Sequence, residues 1–166
     1  QQQTIRSLLD AGCIPVVTRE TELTRTLSLL REPPALVVTD SQAFGMVSRI
    51  VPDSVRLTSF SILFARYKGD LRTAVLGAAA LRQLKDGDTV LISEGCTHHR
   101  QCGDIGTEKL PRWVRQYTGR DIRFVFTSGG EFPENLSPYA LIIHCGACML
   151  GEREMQSRLR RAAEQC

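Results

Sequence analysis

Two short segments concentrate the residues able to bind a soft metal. One is Cys96-Thr97-His98-His99, the other His144-Cys145-Gly146-Ala147-Cys148. Together they hold all three histidines of the chain and three of its six cysteines. Thiolate and imidazole gathered in this way, in a chain whose thiols stay reduced, are the donors of zinc and iron–sulfur sites. The segments lie 45 positions apart, counting from His99 to His144, so only the fold can unite them.

Cys145 and Cys148 form a C-x-x-C, a spacing that lets two thiolates point at one centre. Gly146 and Ala147 between them are small, which allows close backbone approach and N–H donation to sulfur. Three cysteines are one short of the four that usually hold a cubane cluster, so one iron would be open to another ligand. His98, His144, Cys102 and Asp104 are the candidates for that position, besides an external molecule. Zinc fits the same donor types. A thiol–disulfide pair at Cys145 and Cys148 is a third reading, but it needs neither Cys96 nor the histidines. Cys13 and Cys166 read as packing or incidental thiols, His99 as a solvated or capping residue, and Trp113 as helix packing.

The bulk properties narrow the classes. Of the 166 residues 42% are hydrophobic, enough for a core and too many for a disordered chain. No apolar run approaches the roughly 18 residues of a membrane span. A net charge of +3 without a basic block argues against nucleic acid as a partner. The nearest block, Arg158-Leu159-Arg160-Arg161, reads as the solvated face of a helix. There is no P-loop for nucleotide phosphates, no G-x-G-x-x-G and no G-x-S-x-G. The polar Gln1-Gln2-Gln3 start is unlike a signal peptide, so a cytoplasmic protein with reduced thiols is expected. With no initiator Met, and with Cys166 following a helix-like segment directly, a piece of a longer protein is also expected.

The elements that would position the donors alternate in type. Strands are expected at 14–18, 35–39, 55–57, 89–93, 122–126 and 139–143, where β-branched and apolar residues run together. Helices are expected at 21–31 with Leu23, Leu27, Leu29 and Leu30 inward, and from Asp40 or Ser41 as N-cap to Arg49. Further helices are expected at 60–67, 71–84, 108–117 and 151–164. This is an α/β chain with mostly parallel sheets flanked by helices, in two small units, 1–68 and 69–166. Ligands of parallel sheets collect beyond the carboxyl ends of strands. Cys96 lies just past the strand at 89–93, and His144 and Cys145 follow the strand at 139–143. If those strands are neighbours, the two clusters meet.

The chain resembles the HydF family of FeFe-hydrogenase maturation factors. The resemblance is carried by Cys96-Thr97-His98-His99, Asp104-Ile105-Gly106, Pro111-Arg112-Trp113 and His144-Cys145-Gly146-Ala147-Cys148-Met149-Leu150. Val37-Val38-Thr39-Asp40-Ser41-Gln42 and the stretch from Leu57 to Asp70 extend it over nearly the whole chain. The resemblance implies a dimerisation domain at 1–68 and a C-terminally incomplete cluster domain at 69–166, with the family's GTPase domain, and hence GTP, absent from this chain. It implies a 4Fe–4S cluster on Cys96, Cys145 and Cys148, with His98 and His144 near the open iron. It implies a homodimeric, non-catalytic scaffold that receives a diiron precursor and delivers it to apo-hydrogenase, alongside the radical-SAM maturases. Cys102 and Gly103 stand where polar or acidic residues are expected in relatives, so Cys102 is a competitor for the open iron.

Two rival readings remain at this point. One is a structural zinc protein, and the other a cluster enzyme using the open iron as a Lewis acid, for which no acid–base pair stands out. A homodimer also has a physical basis. A unit of about 68 residues is marginal alone, and pairing its sheet edge with a twin adds core and removes the edge.

Overall fold

The computed structural model describes residues 2–95, 105–147 and 149–165. The chain forms two compact units, Gln1–Phe60 and Ser61–Cys166. The first runs through α1 (Gln2–Asp10), a 3-10 turn at Glu20–Glu22, α2 (Leu23–Leu29), β1 (Leu36–Thr39), α3 (Phe44–Ile50) and β2 (Arg56–Ser59). β1 and β2 pair in parallel, Leu36 opposite Arg56 and Thr39 opposite Ser59. Leu23, Val47, Val51 and Val55 form the buried core beside them. The Asp40 carboxylate accepts the Gln42 and Ala43 N–H groups, and α3 starts at Phe44 after that turn.

One expected strand is absent. Residues 14–18 form no strand, and Ile14, Val16 and Val17 are exposed, Ile14 to 93%. Pro15 has no N–H to donate, and no strand of this unit pairs with the segment. Leu29, expected inward, is also exposed. Cys13 is exposed rather than packed.

The second unit contains α4 (Phe60–Lys68), α5 (Leu71–Ala80), a 3-10 turn at Leu81–Gln83 and β3 (Thr89–Glu94). A π-helical turn at Ile105–Lys109 leads into α6 (Leu110–Thr118). β4 (Arg123–Ser128), β5 (Leu141–His144) and α7 (Glu152–Gln165) complete it. Asp70 caps α5 by accepting the Arg72 and Thr73 N–H groups. Gly119, at φ +65°, closes α6 in the left-handed conformation that glycine adopts without strain.

The sheet order is β4-β3-β5, all parallel. Alternation along β3 sends Val90 and Ile92 to one face, into a core with Leu84, Val114 and Ile122. Leu91 and Ser93 turn to the other face and are fully buried there. Trp113 contributes little, since α6 packs through Val114 and Leu110 and leaves the indole 43% exposed. No described helix is long and apolar enough to cross a membrane.

Candidate metal centre

The expected neighbours are neighbours. β3 and β5 run side by side in parallel, with Ser93 opposite His144. Their carboxyl ends therefore leave the sheet at the same edge. The Cys145 N–H continues the ladder one residue further by donating to the Ser93 carbonyl at 3.0 Å. Cys145 thus stands at the strand exit, next to the residues that lead towards Cys96.

The Cys145 sulfur accepts two backbone hydrogen bonds. Gly95 N–H lies 3.0 Å away, and Ala147 N–H lies 3.4 Å away. Backbone N–H groups directed at a sulfur are the kind of second contact that surrounds thiolate ligands in metal centres. The turn that delivers the second donor holds Ala147 at φ +53°, the one described non-glycine residue with positive φ. For a residue with a Cβ this conformation costs free energy that the rest of the loop offsets.

The loop after Cys145 is held from α4. A Cβ on Gly146 would sit 2.9 Å from the Ser61 Cα, so only glycine fits against the first turn of that helix. At the other end of α4, the Lys68 ammonium donates to the carbonyls of Leu150 at 2.9 Å and Ala147 at 3.3 Å, and lies over the Phe64 ring. Gln156 on α7 donates to the Lys68 carbonyl at 3.1 Å. Gly95 is packed as closely, since a Cβ there would meet the Leu150 side chain at 2.9 Å.

Beneath the strand ends lies a buried cation. Arg158 is 1% exposed, which corrects the reading of residues 158–161 as a solvated face. Its guanidinium donates to Glu154 at 2.7 Å, to His144 Nε2 at 3.1 Å and to the Gly129 carbonyl at 3.0 Å. It also reaches the Ser93 hydroxyl at 3.4 Å and lies over the Phe132 ring. Three of these partners belong to the ends of different strands: Ser93 on β3, His144 on β5 and Gly129 directly after β4. The helical phase held a clue to this position, because Arg158 follows the buried Met155 by three residues and shares its face.

His144 is engaged at both ring nitrogens. Nδ1 lies 2.8 Å from the Cys145 carbonyl and so carries the proton, while Nε2 accepts from Arg158. Burial pushes its pKa down, the Cys145 carbonyl opposes this, and the Arg158 charge lowers it further. The imidazole is neutral and turned into the α7 side of the sheet, with both nitrogens in use. Thr127 occupies the same row, opposite Ser93 on β4, and its buried hydroxyl has no partner among the described residues.

Two family models match the chain. The hydrogen maturase F dimerization domain matches residues 1–69, and the hydrogen maturase F tetramerization domain matches residues 72–166. The chain belongs to the hydrogen maturase F (HydF) family. Its role therefore lies in hydrogenase maturation, and both matched HydF domains are named for self-association. The strand ends and the loop after Cys145 fall within the HydF tetramerization domain. No curated protein matches the chain.

Of the HydF residues expected at the centre, Cys145 and His144 are placed as above. Cys96, His98, Cys102, Asp104 and Cys148 lie outside the described residues, as do His99 and Cys166. Among the described residues no three His, Cys, Asp or Glu side chains gather to hold a metal. One acidic residue at this edge escaped the sequence reading. Glu94 ends β3, and a Cβ on Gly106 would overlap its carboxylate, so glycine in the π-helical turn makes room for it. The signal for it was its place directly after the expected strand at 89–93, two residues before Cys96.

Proposed function

We infer that this chain is a scaffold for metal-cluster assembly in hydrogenase maturation. Cys145, together with Cys96 and Cys148, would hold a 4Fe–4S cluster, which supplies an iron open to a second metal unit. The chain's own task is to hold three thiolates, keep water and competing side chains away from that position, and release a diiron precursor to apo-hydrogenase. Residues 1–68 join two copies into a homodimer, and residues 69–166 carry the cluster. The radical-SAM maturases are the expected donors of the precursor, and the cytoplasm is the expected compartment.

The observation that carries this reading is the pair of N–H groups directed at the Cys145 sulfur. A thiol merely packed in a core has no use for two amide donors, whereas a ligating thiolate does. The donor chemistry fits the cluster in a second respect. The cations of Lys68 and Arg158 brace the residues on either side of Cys145, in keeping with a centre that gathers negative charge. His144, with its nitrogens bound to Cys145 and Arg158, serves in this reading as a brace and leaves the fourth position to another ligand.

The test is anaerobic reconstitution of the full chain with iron and sulfide, followed by metal analysis and EPR of the reduced protein. About four irons per chain and a reduced-cluster signal are expected. Both should be lost in Cys145→Ala and kept in Cys13→Ala. One zinc per chain without iron uptake would replace this reading with a structural zinc site.

A further inference from the structure

Ala147 is in a conformation that its own sequence does not favour. It is buried and stands at φ +53°, where a Cβ is disfavoured. Both polar atoms of its backbone are tied. The N–H donates to the Cys145 sulfur at 3.4 Å, and the carbonyl accepts the Leu150 N–H at 3.1 Å and the Lys68 ammonium at 3.3 Å. The same ammonium donates to the Leu150 carbonyl at 2.9 Å, so it holds the turn from Ala147 to Leu150 at both ends. Hydrogen bonds from a charged donor are stronger than those from a neutral one. The Phe64 ring, its centroid 5.1 Å from the ammonium, adds a cation–π contact that keeps the charge in place. Lys68 and Ser61, which leaves no room for a Cβ on Gly146, lie two helical turns apart on one face of α4.

We propose that Lys68 is a positioning residue for the loop after Cys145: its ammonium holds Ala147 in the left-handed conformation, and that conformation puts the Ala147 N–H on the Cys145 sulfur. The chain of contacts is continuous, from Lys68 to the Ala147 carbonyl and from the Ala147 N–H to sulfur. The free energy that the positive φ costs has to be offset by contacts from outside the loop, and Lys68 supplies two of them. The arrangement is present without metal. Its use rests on the metal reading given above, since a loop ordered beforehand has less freedom to lose when its sulfur becomes a ligand.

The test is hydrogen exchange by NMR on the full chain without metal, for wild type, Lys68→Met and Lys68→Met with Ala147→Gly. Methionine removes the ammonium and keeps an unbranched stem over Phe64. Lys68→Met should lower the protection of the residue-147 amide about tenfold, with Val90 and Leu91 in the sheet centre protected as in wild type. Glycine adopts a positive φ without a Cβ penalty, so adding Ala147→Gly should restore most of that protection. Unchanged protection at residue 147 in Lys68→Met would overturn the proposal. An equal loss at Val90 would overturn it by showing a general loss of stability. No recovery with Ala147→Gly would overturn it by showing that the ammonium does not act through this backbone conformation. After reconstitution with iron and sulfide, a chelator should strip iron several-fold faster from Lys68→Met than from wild type, and equal rates would sever the loop from the metal. A chain that takes up no iron would end the cluster reading and leave the exchange result to decide the role of Lys68.

Discussion

The guanidinium of Arg158 donates to Nε2 of His144 at 3.1 Å, joining the last helix to the strand that delivers Cys145. The same guanidinium holds Ser93 and Gly129, so one side chain ties the carboxyl ends of all three strands. Arg158→Leu would leave the imidazole nitrogen, the hydroxyl and the carbonyl without their donor. It should destabilise the second unit by roughly 2–4 kcal/mol, readable as a lower urea midpoint. An unchanged midpoint would show that the guanidinium is not the tie described here.

His144 and Cys145 are adjacent in sequence but differ in their contacts. With Nδ1 on a carbonyl and Nε2 on Arg158, His144 has no free nitrogen for a metal. His144→Gln should therefore lower stability by about 1–2 kcal/mol while leaving iron per folded chain near the wild-type value. Loss of iron at an unchanged melting temperature would return His144 to the ligand set.

Gly146 tests the fit of the loop after Cys145 to α4. Its missing Cβ would come within 2.9 Å of the Ser61 backbone, which has no flexible end to move aside. Gly146→Ala should cost roughly 1–3 kcal/mol and reduce iron uptake several-fold, because the loop must shift as a whole. Wild-type stability and wild-type iron content together would mean that the contact is not a constraint.

Thr127 and Ser93 face the same side of the sheet with opposite hydrogen-bonding states. The Thr127 hydroxyl is buried without a partner, whereas the Ser93 hydroxyl meets Arg158. Thr127→Val should be neutral or stabilise by up to about 1 kcal/mol, and Ser93→Ala should destabilise by about 1 kcal/mol. Equal losses in the two variants, measured by thermal melts, would contradict the assignment.

Asp70 has a pH signature. Its carboxylate is held below the ordinary value of 3.8, first by the Thr73 hydroxyl, then by the Thr73 and Arg72 N–H groups and the Arg72 charge. A lowered folded-state pKa means that the cap contributes fully above the unfolded value and fades as the pH falls through the folded one. The carboxyl carbon of Asp70 should titrate below 3.8 by NMR. A midpoint at or above that value would remove the cap from the account.

Much of this was legible in the residues. The apolar runs at 89–93 and 139–143 identified two strands, the first buried and the second half-buried, and their positions relative to Cys96 and Cys145 gave them a reason to be adjacent. Periodicity does this well because burial on both faces leaves a continuous apolar run. It failed at Ile14 to Thr18, where the run is just as apolar but the unit offers no strand beside it. Arg158 was illegible for a different reason. A basic residue is read as solvated by default, and only the coincidence of Ser93, His144, Gly129 and Phe132 around one point reverses that default. The close contacts at Gly146 and Gly106 depend on approaches between elements far apart in sequence, which no local pattern encodes.

Arg158 also bears on the order of events during synthesis. All three strands precede α7 in the chain, so the ribosome makes each of them before it makes the side chain that joins their ends. Until α7 docks, Ser93, His144 and the Gly129 carbonyl lack their shared donor, and the Lys68 carbonyl lacks the Gln156 amide. A nascent chain can therefore form its sheet early and gain the tie between its strand ends only when α7 docks.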